Sequence, residues 1–338
     1  MSVMEMSHRS KTYDQIHNQC IQDLRGLLQV PSTHDVLLMQ GGGTAQFAAV
    51  PLNLASGPQM KAGYVVTGTW SGKAATEAAK FAEVVEVYSD KKCKSLPTSV
   101  QGPEDLSYLY YCANETIPGL EFSDAPAYSS NVDLVADMSS NFCTRPVNVG
   151  KHGVIFGRRH AAGVQKNVGP AGLSVVIARH DLVEKSKRAA VPAVLDWKAF
   201  QDTNSLYHTP PCWSIYVTGL VLQYLKKTGG LSYWSERSAL KSQMLYDIID
   251  ASHGFYRCAV EKGSRSRCNV SFTCESPQLD TMFVQQAVSA RRFENLKGHR
   301  SVGGVRASVY NGMPMEGVEA LAEFMMEFMQ MHDIENRD

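Results

Sequence analysis

Seven short apolar runs recur between residues 34 and 178, at 36–39, 64–66, 84–87, 108–112, 134–136, 154–156 and 173–178. Each is closed by a turn rich in Gly, Ser or Asn and followed by a helical pattern or a further strand. A β-rich run that is apolar without alternation is buried on both faces, and a largely parallel sheet covered by helices on both sides offers that environment. The pattern therefore predicts α/β architecture, with a ligand site outside the carboxyl ends of the strands.

After Pro210-Pro211 the pattern changes. Residues 214–227 and 233–249 read as successive helices separated by Thr228-Gly229-Gly230. Strands at 254–260 and 268–273 around a basic loop, a helix at 279–290, a strand at 305–310 and a closing helix at 316–332 then compose a smaller α+β unit. The boundary falls near residue 230, giving a large domain over 1–230 and a small C-terminal domain over 231–338, which suits a chain of 338 residues. Met325, Met326, Met329 and Met331 on the closing helix are expected to serve as adaptable core packing.

Charge narrows the partners. Thirty-three Lys and Arg balance thirty-three Asp and Glu, and this neutrality argues against a nucleic acid or a membrane surface and for a small ligand. The eight cysteines contain no CxxC pair, and several sit in apolar runs, as expected of thiols in a reducing compartment such as the cytoplasm. Cys268, Cys274 and His253 match no zinc template, so no metal is expected.

Four turns that follow strands carry the candidate chemistry. Gln40-Gly41-Gly42-Gly43-Thr44 opens a helix, where glycines admit an anion to free backbone N–H groups, although the lysine of a P-loop and a full GxGxxG are absent. Thr67-Gly68-Thr69-Trp70-Ser71 places an indole at a strand end ahead of a Ser N-cap, either as core or as a flat surface for a ring. Asn114-Glu115-Thr116 follows the strand ending at Cys112. Asp137 closes the run at 132–136, and Lys166 lies among small and apolar residues ahead of the next strand. A buried acid needs a cation, and a desolvated lysine loses basicity. Pyridoxal phosphate requires that pairing, a lysine to bond its aldehyde and a carboxylate to hold its ring nitrogen protonated; an Asp–Lys ion pair satisfies it equally.

Longer strings separate the two readings. Met6-Ser7-His8-Arg9-Ser10, Gly41-Gly42-Gly43-Thr44-Ala45-Gln46-Phe47, Ala113-Asn114-Glu115-Thr116, Ala136-Asp137-Met138-Ser139-Ser140-Asn141-Phe142, Gln165-Lys166-Asn167-Val168-Gly169 and Gly298-His299-Arg300-Ser301-Val302-Gly303-Gly304-Val305-Arg306 resemble the phosphoserine aminotransferase family over nearly the whole chain. The resemblance implies the fold type I of pyridoxal-phosphate-dependent transferases, with a mostly parallel seven-stranded sheet in the large domain. It further implies a homodimer whose active sites are shared between subunits.

Lys166 would carry the cofactor, Asp137 would pair with its ring nitrogen, Trp70 would stack on the ring and Thr116 would bond the phenolic oxygen. Gly43, Thr44 and Gln165 would hold its phosphate, with His208 and Thr209 reaching over from the other subunit. His8, Arg9, His299 and Arg300 match residues around the carboxylate or phosphate end of the substrate, and Arg306 matches the anchor of the α-carboxylate. The implied reaction passes the amino group of L-glutamate to 3-phosphohydroxypyruvate, giving O-phospho-L-serine and 2-oxoglutarate for serine biosynthesis.

Three departures accompany the resemblance. It begins almost at Met1, where the family has a preceding segment resembling FxPGPA and a helix, so a few dozen residues near the active site and dimer interface are expected to be missing. Residues 157–163 add about five positions just upstream of Lys166, and His208 stands where the family has Asn. A loop takes such length cheaply, but a misplacement of about 1 Å in a reacting group can cost a hundredfold in rate. The alternative expectation is thus a shortened, impaired relative that binds pyridoxal phosphate or partner subunits without efficient turnover.

Overall fold

The computed structural model describes residues 2–55, 59–90, 92–128, 131–158, 166–185, 191–291 and 293–333. Chain order gives α1 (Lys11–Leu28), β1 (His34–Met39), α2 (Gly42–Leu54), β2 (Lys61–Val66), α3 (Thr69–Ala78), β3 (Glu83–Ser89), β4 (Leu106–Cys112), β5 (Asn114–Glu115), β6 (Leu120–Glu121), β7 (Leu134–Asp137), β8 (Val154–Arg158), β9 (Ser174–Arg179), α4 (His180–Lys185) and α5 (Trp197–Asp202). There follow α6 (Cys212–Lys227), α7 (Gly230–Ala251), β10 (Tyr256–Arg257), β11 (Asn269–Cys274), α8 (Pro277–Arg291), β12 (Val305–Ser308) and α9 (Met315–Asp333).

The seven apolar runs become one sheet in the order β1-β9-β8-β7-β4-β2-β3. Only β9 runs against the others, antiparallel to both β1 and β8. Successive residues on a strand face opposite sides, so continuous apolar runs feed two cores. Leu38, Leu109, Tyr111, Ile155 and Ile177 pack on one side with Leu24 of α1 and Leu222 of α6. Leu37, Tyr108, Tyr110, Phe156 and Val176 pack on the other with Phe47 of α2 and Trp197 of α5.

Helix α1 lies outside the strand–turn–helix pattern of the sequence. Its buried stripe of Tyr13, His17, Cys20, Leu24 and Leu28 has helical spacing but includes a histidine, and its start is fixed by the Ser10 side chain accepting from the Tyr13 N–H.

Helix α7 begins with Leu231 and Trp234 in the large core and ends with Leu245 and Ile249 in a third core beneath the sheet β10-β11-β12. The expected strand at 254–260 is reduced to Tyr256–Arg257, because the following chain turns away and the Glu261 N–H bonds the Lys94 carbonyl. Of the four methionines expected as packing on α9, Met325 and Met329 face this core, one turn apart, whereas Met326 and Met331 fall off that face and are exposed. Among the described residues, no helix is long and apolar enough to cross a membrane.

Phe283 centres the third core, with ring centroids of Phe324 and Phe328 at 5.0 and 5.1 Å and that of Phe272 at 5.7 Å. Removing such a side chain leaves a cavity lined by rings that cannot collapse. Phe283→Ala is expected to lower the unfolding free energy by about 3–5 kcal/mol in urea titration. A loss below about 1 kcal/mol would mean that the small sheet is not held by this cluster.

Candidate active site

The carboxyl edge of the large sheet gathers the candidate residues. At the end of β2 the chain turns through Thr67 and Gly68 into α3, and the buried Glu115 carboxylate receives the backbone N–H groups of Trp70 (3.0 Å) and Ser71 (2.7 Å) and the Ser71 hydroxyl (2.7 Å). An acid at a helix N-terminus satisfies donors that the helix leaves open and meets the positive end of its dipole. Ser71 is therefore not the N-cap that its position suggests; it is the third residue of the helix, and its hydroxyl accepts from the Thr67 and Gly68 N–H groups. Gly68 permits the packing, since a Cβ there would stand 2.6 Å from the Glu115 carboxyl carbon.

Trp70 is half-buried, its Nε1–H donating to Thr116 Oγ1 at 2.9 Å and the Lys73 ammonium lying 4.8 Å from its ring centroid. The indole is thus held by one edge.

Two strands away, Asp137 ends β7 with 4% of its surface exposed. Its Oδ2 accepts from the Tyr110 hydroxyl at 3.1 Å, and its Oδ1 accepts from the Ser139 N–H at 2.8 Å and from the Ser139 hydroxyl. Burial pushes this carboxyl above its ordinary range, against the pull of those donors and of the Lys166 ammonium. Burial does the same to Glu115, and the nearby Asp137 charge adds to it.

Lys166 borders a small cleft with Ser139, Phe142, Gly157 and Val175. Its neighbour Asn167 is fixed on both sides: Nδ2 donates to the Ser140 carbonyl at 2.9 Å, and Oδ1 accepts from the Asn311 N–H at 3.1 Å. Gln165 and most of the lengthened loop lie outside the described residues.

The glycine turn after β1 is an anion cradle by geometry. Gly41 and Gly42 have φ of 89° and 65°, α2 starts at Gly42, and no acidic side chain occupies its first turn. Gly43 is buried and Thr44 exposed. His208 and Thr209 stand beside this turn within the same chain, where Gln40 Nε2 donates to the Thr209 carbonyl at 2.9 Å and lies 3.4 Å from His208 Nδ1.

A cavity of about 310 Å³ lies between the small sheet and the 115–118 turn. His299 and Arg306 line it, together with Thr69 and Ile117, the neighbours of Trp70 and Thr116. His299 Nδ1 is engaged by Ser301 Oγ at 2.7 Å, which leaves Nε2 for a ligand. Arg300 is exposed on the turn beyond, and His8 and Arg9 lie in the turn ahead of α1; none of the three is in the lining.

Glu115, Tyr110, Ser139 and Asn167 were not singled out from the sequence. The first and last adjoin Thr116 and Lys166, but their bonding partners are remote in the chain.

Known proteins resemble this chain over nearly its whole length. The profile of class-V aminotransferases matches residues 2–321. Phosphoserine aminotransferase 2, chloroplastic, of Arabidopsis thaliana is 48% identical over 338 residues, an alignment spanning 98% of this chain and 78% of that protein. The structure of phosphoserine aminotransferase from Bacillus circulans subsp. alkalophilus superposes with a TM-score of 0.92 at 40% identity, covering 98% of this chain and 90% of that one. The pyridoxal-phosphate-bound enzyme from Trichomonas vaginalis gives 0.87 at 35%, covering 96% and 91%.

The mixed seven-stranded sheet is that of a pyridoxal-phosphate-dependent transferase of fold type I. The chain belongs to the class-V aminotransferase family and, within it, to the phosphoserine aminotransferases. The residues fit the cofactor on their own terms: a buried acid suited to a cationic ring nitrogen, an uncapped helix N-terminus suited to phosphate, and an indole tied by its edge.

Raised folded-state values at Asp137 and Glu115 mean that ionising them costs stability. Their contribution is complete below pH of about 4 and lost as pH rises through the folded values. Buried histidines such as His152, pushed down to about 4 by burial, act in the opposite sense, so the comparison must be between variants. Cofactor-free Asp137→Asn is expected to gain in melting temperature over the cofactor-free parent as pH increases above about 4. A difference independent of pH would show that the carboxylate is not strained.

Proposed function

We infer that this chain is an active phosphoserine aminotransferase, passing the amino group of L-glutamate to 3-phosphohydroxypyruvate and releasing 2-oxoglutarate and O-phospho-L-serine for serine biosynthesis. The observation that carries the reading is the convergence of Asp137, Lys166 and Trp70 on one sheet edge beside the cavity lined by His299 and Arg306. The impaired-relative alternative has no comparable observation in its favour.

Bound pyridoxal phosphate supplies a carbonyl carbon for the amino group and a ring that stores the electrons of the α-carbon. Asp137 would hold the ring nitrogen protonated, Trp70 would cover the ring face and Thr116 would bond its phenolic oxygen. Gly43, Thr44 and Gln165 would bind the phosphate, with His208 and Thr209 of the partner subunit proposed to join them. Arg306 takes the α-carboxylate, while His8, Arg9, His299 and Arg300 serve the other anionic end. Lys166 would hold the cofactor through Nζ and, as a free amine, would move the proton at the substrate α-carbon, taking it from glutamate in one half-reaction and returning one to the keto acid's α-carbon in the other. The two halves share one amino-group carrier, so kinetics are ping-pong.

Lys166→Ala is expected to reduce transamination by about a thousandfold or more and to prevent borohydride trapping of the cofactor on the protein. Ordinary turnover or trapping in that variant would overturn the assignment.

The subunit-sharing part of the reading is supported by α6, which buries Ile215, Leu222 and Leu225 but presents Trp213, Leu220 and Tyr224 at about half exposure on its other side. A contiguous apolar stripe of this kind marks an interface. A homodimer is expected by light scattering, and Leu220→Glu is expected to shift it to monomer with loss of transamination. A monomeric, active parent would refute shared sites.

The division into a large unit over 1–230 and a small one over 231–338 belongs to the same reading, with the seam inside α7, since Leu231 and Trp234 still pack on the large core. The cytoplasm is the compartment proposed, since Cys20, Cys112, Cys143, Cys268 and Cys274 are buried as reduced thiols in the core commonly are.

A further inference from the structure

The three-stranded sheet has two unlike faces. Along β11, Val270, Phe272 and Cys274 enter the third core, while Ser271 and Thr273 alternate to the opposite side. The register pairs Ser271 with Arg306 on β12 and Thr273 with Arg257 on β10. Directly paired residues share a face, so both arginines stand on the cavity side, and both line the cavity. Two strand spacings of about 4.8 Å and an offset of two residues at about 3.3 Å put their Cα atoms roughly 12 Å apart. Two extended arginine side chains readily close on a small dianion across that span.

Carboxylates pair with four arginines elsewhere among the described residues. Arg179 is paired with Asp133 and Asp181, Arg265 with Asp250, and Arg145 and Arg267 with Glu121. Among the described residues, no carboxylate forms an ion pair with Arg257 or Arg306, and no Asp or Glu lines the cavity, to which Lys92 and His299 add further nitrogen donors. Arg257 commits its Nε–H to the Gly254 carbonyl at 3.0 Å, which orients the guanidinium plane and leaves the terminal nitrogens for a bidentate anion. Guanidinium groups left without a carboxylate around one cavity make an anion site, and planar forks suit phosphate better than a point charge does.

We propose that Arg257 is a specificity-determining residue that binds the phosphate end of the phosphorylated substrate, opposite Arg306 at the α-carboxylate. This rests on the transaminase reading above. A phosphate ester carries a charge of about −1.5 to −2 near neutral pH, against −1 for the γ-carboxylate of glutamate, so a second guanidinium favours the phosphorylated partner over the dicarboxylic one.

The test uses the full-length holoenzyme with Arg257→Met, which keeps the apolar stem, and Arg257→Lys, which keeps a charge. With O-phosphoserine and glutamate measured as separate half-reactions, Arg257→Met is expected to lower kcat/KM for O-phosphoserine by about 10- to 100-fold, chiefly through KM. The loss for glutamate is expected to be at least tenfold smaller, and Arg257→Lys to recover part of the phosphoserine rate. Equal losses for both substrates, or none, would overturn the proposal. A parent enzyme that transaminates neither substrate would instead refute the functional reading. Calorimetric binding of O-phosphoserine then decides the proposal alone: weaker binding by Arg257→Met than by the parent supports it, and indistinguishable or absent binding overturns it.

Discussion

One reversed strand sets the geometry on which the site depends. Because β9 runs against the sheet, Ser174 at its start is paired with Arg158 at the end of β8, and the chain between them returns to the edge it left. A parallel β9 would have required a crossover to the far end of the sheet. With the reversal, the segment carrying Lys166 enters β9 from the same edge to which β7 delivers Asp137 and β2 delivers the turn before Trp70. Six strands thus present their carboxyl ends and the seventh presents its amino end, so helix starts and a lysine-bearing loop meet in one place.

That edge is tied to the small sheet by buried amides rather than by apolar contact. Asn114 Nδ2 donates to Ser140 Oγ at 2.7 Å and to Asn269 Oδ1 at 2.9 Å, while its Oδ1 accepts from the Ser266 hydroxyl at 2.6 Å. Asn311 donates from Nδ2 to the Cys143 carbonyl at 2.9 Å and from its backbone to Asn167. Apolar layers tolerate small slips, whereas a buried polar group displaced from its partner costs about 1–3 kcal/mol. The network therefore fixes register. It holds Asn167, and with it the backbone next to Lys166, at a set position relative to β11 and β12, which carry one wall of the cavity.

What the sequence discloses follows from the range of the interactions involved. Most of the seven strands were legible because a doubly buried strand writes its burial into consecutive residues, as in Tyr108 to Cys112, and Asp137 was legible as a charge closing such a run, Arg306 as a charge on a strand of the smaller unit. The direction of β9 was not, since periodicity carries no sense of direction. Nor was α1, whose stripe includes polar His17, or the role of Glu115, which bonds Trp70 and Ser71 some 45 residues earlier in the chain. Arg257 was hidden for the same reason: its face is set by pairing with Thr273, and the short β10 has too few residues to show alternation.

The two buried acids explain why so much donor capacity is concentrated at the edge. Burial raises the cost of ionising Asp137 and Glu115, the Asp137 charge adds to it at Glu115, and neither is accessible enough for water to relieve it. The hydroxyls of Ser139, Tyr110 and Ser71 and three backbone N–H groups offset part of that cost. A cationic ring nitrogen seated at Asp137, as the proposed function has it, would offset more, because opposite charges attract most strongly where the dielectric is low. Binding to the folded state alone would feed back on stability as RT ln(1 + [L]/Kd), so that strain stored at Asp137 in the cofactor-free protein would become affinity in the loaded one. On the proposed reading, burial of the acid serves the chemistry as well: a solvated carboxylate would hold the ring nitrogen with less bias toward its protonated form, and the electron demand placed on the substrate α-carbon would fall with it.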